Sequence, residues 1–196
     1  MYKKVNITEN GLQIISLFTH GFDKVYYIRE IERLLKISPR TAQLILEDLE
    51  SKGILKSMIR GKIKTYELIM NETSKKYLLL VEHYKAITFL EQNLLLKEII
   101  EKISPSINGI GIIFGSHVKG IAKKDSDLDL FVVGSYSKDE IKKNSKIYGL
   151  EISVKCYPES IFRKNLNRDI FIKEILKNHV VFKGAEKFIS EVIKNE

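Results

Sequence analysis

Two aspartates separated by one residue, Asp127 and Asp129, have the types and spacing to do chemistry. They alternate with Leu128 and Leu130, so on a strand both carboxylates share one face and the leucines take the other. Phe131 and Val133 continue the carboxylate face and are apolar, which makes the strand central, with its acidic start at an exposed rim. Neighbouring carboxylates repel one another unless a cation neutralises them. Magnesium prefers carboxylate, water and phosphate oxygens. One or two such ions at an acid pair suit phosphoryl or nucleotidyl transfer, where they clamp the attacking and leaving oxygens.

A phosphate cradle is expected just upstream. Gly115-Ser116 follows the apolar run Ile107–Phe114, which reads as a buried strand, and precedes a predicted short helix over 116–122. Glycine lets a phosphate approach the backbone closely. The helix N-terminus would offer unpaired amides and a favourable dipole, and Ser116 adds a hydroxyl. Gly120 would let this helix pack tightly on the sheet. Lys119, Lys123 and Lys124 either steer a triphosphate or are merely solvated. His117 either contacts a phosphate or is an exposed residue without a task. His20, His83 and His179 have no partners in the sequence and are assigned no role.

Gly115, Ser116, Gly120, Ser126, Asp127, Asp129 and Leu130 together resemble the nucleotidyltransferase signature of the polymerase-β superfamily. The run is most similar to the minimal nucleotidyltransferases of prokaryotes, including antitoxin-type members paired with HEPN toxins. The resemblance covers roughly residues 94–184. It implies that Asp127 and Asp129 hold Mg²⁺, that Gly115, Ser116, Gly120 and Ser126 bind the nucleotide, and that ATP or another NTP is the substrate. A HEPN-type toxin is the implied protein partner. Active relatives present a third carboxylate on the next strand, here Leu150-Glu151-Ile152-Ser153-Val154. Glu151 completes a catalytic triad in one register; in the other, Ser153 stands there and the third acid is missing. Strand register is poorly fixed by sequence, so both remain open.

The elements that must position these residues make an α+β chain. Residues 11–22, 28–36 and 39–52 carry apolar residues at helical spacing, and Ser38-Pro39 is a strong start for the third helix. Arg60-Gly61 interrupts two β-prone runs over 54–69, which predicts a hairpin. Three helices followed by a basic hairpin resemble a winged helix-turn-helix domain. That resemblance makes Ser38, Arg40, Thr41 and Gln43 the DNA-contact candidates of the recognition helix, and Arg60, Lys62 and Lys64 those of the wing. Between Ser51 and Tyr66 lie Lys52, Lys56, Arg60, Lys62 and Lys64 and no acid, the footprint expected where a wing meets phosphates.

The expected domains are a winged helix over 1–70, a helical connector over 71–104 and a nucleotidyltransferase domain with a small mixed sheet over 105–196. Within the last, strands are predicted over 127–133, 151–157 and 180–183, and helices over 137–146, 160–177 and from Ala185. Leu80, Val81, Tyr84 and Ile87 on the connector either form a homodimer interface or pack within one protomer.

A net charge of +8 over 196 residues favours polyanions as partners, DNA and nucleotides among them. The single cysteine, Cys156, permits no internal disulfide and fits a reducing compartment. No apolar stretch of leader type follows Met1, and the longest apolar run, Tyr77–Val81, is far too short to span a bilayer. The expectation is a cytoplasmic protein without membrane partners.

Overall fold

The structure, a computed structural model, describes residues 6–194. The reading of Met1 to Val5 as free of a leader lies outside the described residues. The chain divides between Val81 and Glu82 into two compact units, each with its own sheet.

In the first unit, α1 (Glu9–Phe18) begins where Thr8 accepts a hydrogen bond from the Gly11 amide. It ends at Phe18. A short strand β1 (Val25–Tyr27) leads into α2 (Ile28–Leu35). The third helix, α3 (Pro39–Ser51), starts as the sequence predicts: Ser38 accepts from the Thr41 amide and Pro39 takes the first turn, where no donor is needed. Ile14, Ile15, Phe18, Ile31, Ala42 and Leu46 bury the facing sides of these helices. The hairpin is β2 (Leu55–Arg60) and β3 (Ile63–Leu68), and β1 pairs with the far edge of β3, giving the order β1-β3-β2. Arg60 opposes Ile63, so only Gly61 and Lys62 turn the chain, and Gly61 supplies the positive φ of 64° that the tight loop needs.

The boundary between the units falls inside α4 (Glu72–Gln92). Asn71 caps this helix by accepting from the Ser74 amide at 2.8 Å. Asn93 separates α4 from α5 (Leu94–Ile103); its side chain donates to the Phe89 carbonyl at 2.7 Å. No helix of the described residues is long and apolar enough to cross a membrane.

The second unit is built on a four-stranded mixed sheet. After a 3-10 turn at Ser104–Ser106 come β4 (Ile107–Phe114), β5 (Leu128–Tyr136), α6 (Lys138–Tyr148), β6 (Ile152–Tyr157), α7 (Glu159–Asn165), α8 (Ile170–Lys177), β7 (Val180–Lys183) and α9 (Ala185–Lys194). The strand order is β6-β5-β4-β7, with β5 parallel to β6 and the other pairs antiparallel. β5 is thus central, and both of its faces are covered. Leu128 and Leu130 pack with Leu96, Ile99 and Ile103 of α5 and Ile141 of α6. On the other face Phe131 meets Phe162 of α7 and Phe171 of α8, with ring centroids 6.0 and 5.9 Å apart.

Two predicted helices differ from what is seen. The single helix over 160–177 is two, because the Asp169 carboxylate captures the Phe171 and Ile172 amides and starts a new helix. The helix over 116–122 is absent; a run of turns takes its place.

Candidate functional site

The site forms where β4 ends and β5 begins. Phe114 opposes Asp129 across the antiparallel pair, which sets Asp129 beside the turn that leaves β4. A Cβ on Gly115 would lie 2.1 Å from Asp129 Oδ2, and Gly115 has a φ of 78°. Only glycine leaves that carboxylate its seat and also makes the turn. Asp127 is exposed, one residue before β5, and the intervening Leu128 amide donates to the Glu151 carbonyl at 2.8 Å. The loop delivering Asp127 is closed by Ser126, whose hydroxyl accepts from the Lys123 amide at 2.8 Å. Ser126 therefore shapes the loop. The Ser126 carbonyl in turn receives a hydrogen bond from Nε2 of His117 at 3.2 Å.

Ser116 to Ile121 makes a single turn closed by a Schellman motif. The Lys119 amide reaches the Gly115 carbonyl, the Gly120 amide reaches His117, and the Ile121 amide reaches back to Ser116. Gly120, at a φ of 68°, is the left-handed residue that ends it. This corrects two expectations. With no helix after Ser116, a helix dipole contributes nothing here. Gly120 has open space around its Cα, so its role is to close the turn and not to pack on the sheet. The tight turn and the half-buried Ser116 remain beside the acid pair.

Burial first, and then the negative charge of Asp127, push the Asp129 carboxyl above the usual carboxylate range, while His117 acts in the opposite sense. Ionised Asp129 is thus a strained charge that a cation would relieve. Two carboxylates are donors magnesium accepts, with phosphate and water oxygens left to complete the shell. The residues present therefore fit a divalent cation brought in with a nucleotide.

Of the two registers open in the sequence, the structure has the one that opposes Ser153 to Asp129. Glu151 precedes β6, exposed to solvent, and the bond it makes to β5 comes from its backbone carbonyl. Among the described residues no group of three His, Cys, Asp or Glu side chains could hold a metal ion. Two residues beyond Ser153, on the same face, the ammonium of Lys155 lies 6.0 Å from the centre of the Phe171 ring. Sequence reading missed Lys155; its period-two spacing becomes a signal only once the register is known. Beside the acids opens a cleft of about 400 Å³ lined by Leu94, Leu95, His117, Lys123, Lys124 and Leu150. Lys119 is instead paired with Glu174 of α8 at 3.2 Å.

A second constellation escaped the sequence altogether. Glu82 of α4 is wholly buried and meets Lys85 at 2.9 Å and Nε2 of His179 at 3.3 Å. Burial opposes its ionisation, yet Lys85 and His179 outweigh this and hold the carboxyl at about 2. Burial first, then the Lys85 ammonium, press the His179 imidazole below its ordinary value. Glu82 and His179 lie 97 positions apart, and no local pattern announces them.

In the first unit, the candidate residues on α3 are at its exposed start. Ser38 and Thr41 are engaged with each other at the cap. Arg40 donates to Gln43, and Gln43 to Glu47, along the open side of the helix. On the hairpin, Lys64 is held by Glu50 at 2.8 Å and Lys56 by Glu67 at 2.9 Å. Arg60 and Lys62 are exposed and carry no ion pair among the described residues.

Residues 95–182 match the family model of the nucleotidyltransferase domain, so the second unit contains such a domain. No curated protein matches the chain. A solved structure of TrmBL2, described as an archaeal chromatin protein with a novel mode of DNA binding, covers 86% of this chain and 69% of its own. Its identity is 14% and its TM-score 0.29, a likeness too low to carry an argument about fold or function.

Proposed function

We propose that this chain, whose residues 95–182 contain a nucleotidyltransferase domain, is a DNA-binding regulator of antitoxin type that holds a magnesium–nucleoside triphosphate. The observation that carries the nucleotide half is the seat of Asp129 on Gly115, which puts an acid pair and a phosphate-facing turn on one sheet rim. Asp127 and Asp129 would hold the cation, which supplies charge neutralisation for the phosphates when bound. Gly115 and Ser116 present amides and a hydroxyl to the phosphates. Ser126 and Gly120 fix the two loops that carry these groups. Lys123 and Lys124, on the wall of the neighbouring cleft, raise the local concentration of an anionic substrate.

In the enzymatic reading, a hydroxyl of a partner protein attacks the α-phosphorus of ATP. An oxygen–phosphorus bond forms to the acceptor, the bond to the β-phosphate breaks, and pyrophosphate leaves. Ser153 opposite Asp129 favours a second reading, in which the domain binds nucleotide and senses it with little turnover, since a serine neither carries the charge nor accepts the proton that a third carboxylate would. Incubation with ATP labelled at the α-phosphate, Mg²⁺ and a candidate HEPN-type partner separates the two. Label on the partner supports transfer; Mg²⁺-dependent binding with no label supports sensing; neither binding nor label overturns both.

For the first unit, three helices with a β1-β3-β2 sheet and an exposed basic loop at Gly61 support the winged-helix reading. Arg40 and Gln43 are then the base-reading candidates, with Arg60 and Lys62 on phosphates. A gel-shift titration on the chain's own promoter tests this. Binding should weaken steeply with salt and fall in the Arg40→Ala plus Lys62→Ala variant; binding indifferent to both contradicts it.

A further inference from the structure

Resting on the DNA-binding reading, we infer that the tip of the β2–β3 hairpin is an apolar wedge that enters the minor groove of duplex DNA and bends it. The sequence pattern of this hairpin draws attention to its basic residues. The structure shows that its apolar ones are equally exposed: Ile59 is 74% open to solvent, Met58 51% and Ile63 50%. Their arrangement matters more than their number. Cross-strand partners share a face, so Arg60 and Ile63 lie on one side of the ribbon with Met58, two residues before Arg60. Ile59 and Lys64 lie on the other. Each face of the tip therefore carries an exposed apolar side chain beside a cation.

A blade with apolar side chains on both sides is fully covered only in a slot with two walls. The cations sort accordingly. Lys64 and Lys56, nearer the base, are neutralised by Glu50 and Glu67. Arg60 and Lys62, at the tip, have no carboxylate partner among the described residues. A slot walled by phosphates complements that pair. The minor groove is such a slot, though at about 6 Å it is narrower than a two-stranded ribbon. Only the tip can enter, and it must widen the groove. Apolar side chains pressed between base steps do so by unstacking them and kinking the duplex toward the major groove, by about 20–90° in proteins that work this way. Both exposed faces of the hairpin are then covered.

The test uses the full-length protein and an A·T-rich duplex of about thirty base pairs, long enough for a bend to register as elastic strain, with a fluorescence donor and acceptor at its ends. Three proteins are compared: the natural chain, Ile59→Ser with Ile63→Ser, and Arg60→Ala with Lys62→Ala. All these residues are exposed, so folding is expected to survive, and circular dichroism checks it. The natural chain should raise energy transfer on binding. The double serine variant should bind with an unchanged salt slope but leave energy transfer at the level of free DNA. The double alanine variant should lower the salt slope by about two. Salt-sensitive binding with no bend in the natural chain, or an undiminished bend in the serine variant, overturns the wedge and leaves the DNA reading intact. Self-association of the natural chain that the serine variant abolishes, without bending, assigns the tip to a protein interface and also overturns it. No duplex binding even at low salt overturns the DNA reading itself.

Discussion

Asp129 is held in a state its surroundings disfavour. Its carboxyl is raised by burial and by the charge of Asp127. The sign follows directly: with the folded value above the unfolded one, ionisation of Asp129 penalises the fold at pH values above its folded pKa, and the penalty vanishes as pH falls below the unfolded value. Asp129→Asn should therefore raise the melting temperature of the metal-free protein at pH 7 by a few degrees, and the gain should disappear at acid pH. Mg²⁺ with ATP should raise the melting temperature of the natural protein, and the same variant should lose that rise. A thermal melt at two pH values, with and without Mg²⁺ and ATP, checks both. Gly115→Ala drives a methyl group into Asp129 Oδ2 at a positive φ. It should cost about 1–3 kcal/mol in denaturant melts and weaken Mg²⁺-dependent nucleotide binding at least tenfold. Ser153→Asp puts a third carboxylate opposite Asp129. It should tighten divalent-cation binding and raise any label transfer, and unchanged values in both assays would speak against the register argument. That Asp127 and Asp129 share a face beside the Gly115 turn was legible because strand alternation and short spacing fix it. Glu151 against Ser153 was not, since the two share a face and a slip of two residues along β5 exchanges them.

At the scale of elements, regular pieces with strong caps were the readable ones. Ser38-Pro39 announced α3, and Gly61 announced the hairpin. The turn after Gly115 differs from the expected helix because Gly120 is the left-handed residue that closes the chain after a single turn, before a helix can form. Asp169 similarly looked like part of a continuous helix, while its side chain starts a new one. The pairing of α4 with His179 could not be read locally at all. Glu82 is buried with both partners in place, so Glu82→Ala, which removes the carboxylate that Lys85 and His179 both meet, should cost about 3–5 kcal/mol in denaturant melts. His179 has a folded pKa below its unfolded one. The stability it contributes is present above the unfolded value near 6.5 and is lost as pH falls from there toward the folded value. Glu82, held at about 2, loses its contribution only as pH falls from the ordinary carboxylate range toward that value. A pH titration of unfolding free energy should thus show a first decline below about pH 6.5 that His179→Asn reduces. A flat profile down to the carboxylate range would contradict the buried neutral histidine.

At the scale of the whole molecule, one unit offers a basic loop and helix start, and the other offers an acid pair beside the Gly115 turn. Leu80 and Ile87 of α4 are 38% and 57% exposed, whereas Val81 is buried. The homodimer expected from the sequence would therefore use the first two, and sedimentation of Leu80→Ser with Ile87→Ser should show a monomer if they form its interface. Magnesium-dependent nucleotide binding is the central property proposed for the second unit. Calorimetric titration of ATP into the full-length protein, with Mg²⁺ and then with chelator, measures it directly. A single site is expected that requires Mg²⁺ and weakens at least tenfold in Asp127→Asn with Asp129→Asn. Binding of equal strength in chelator, or undiminished in that variant, would contradict it.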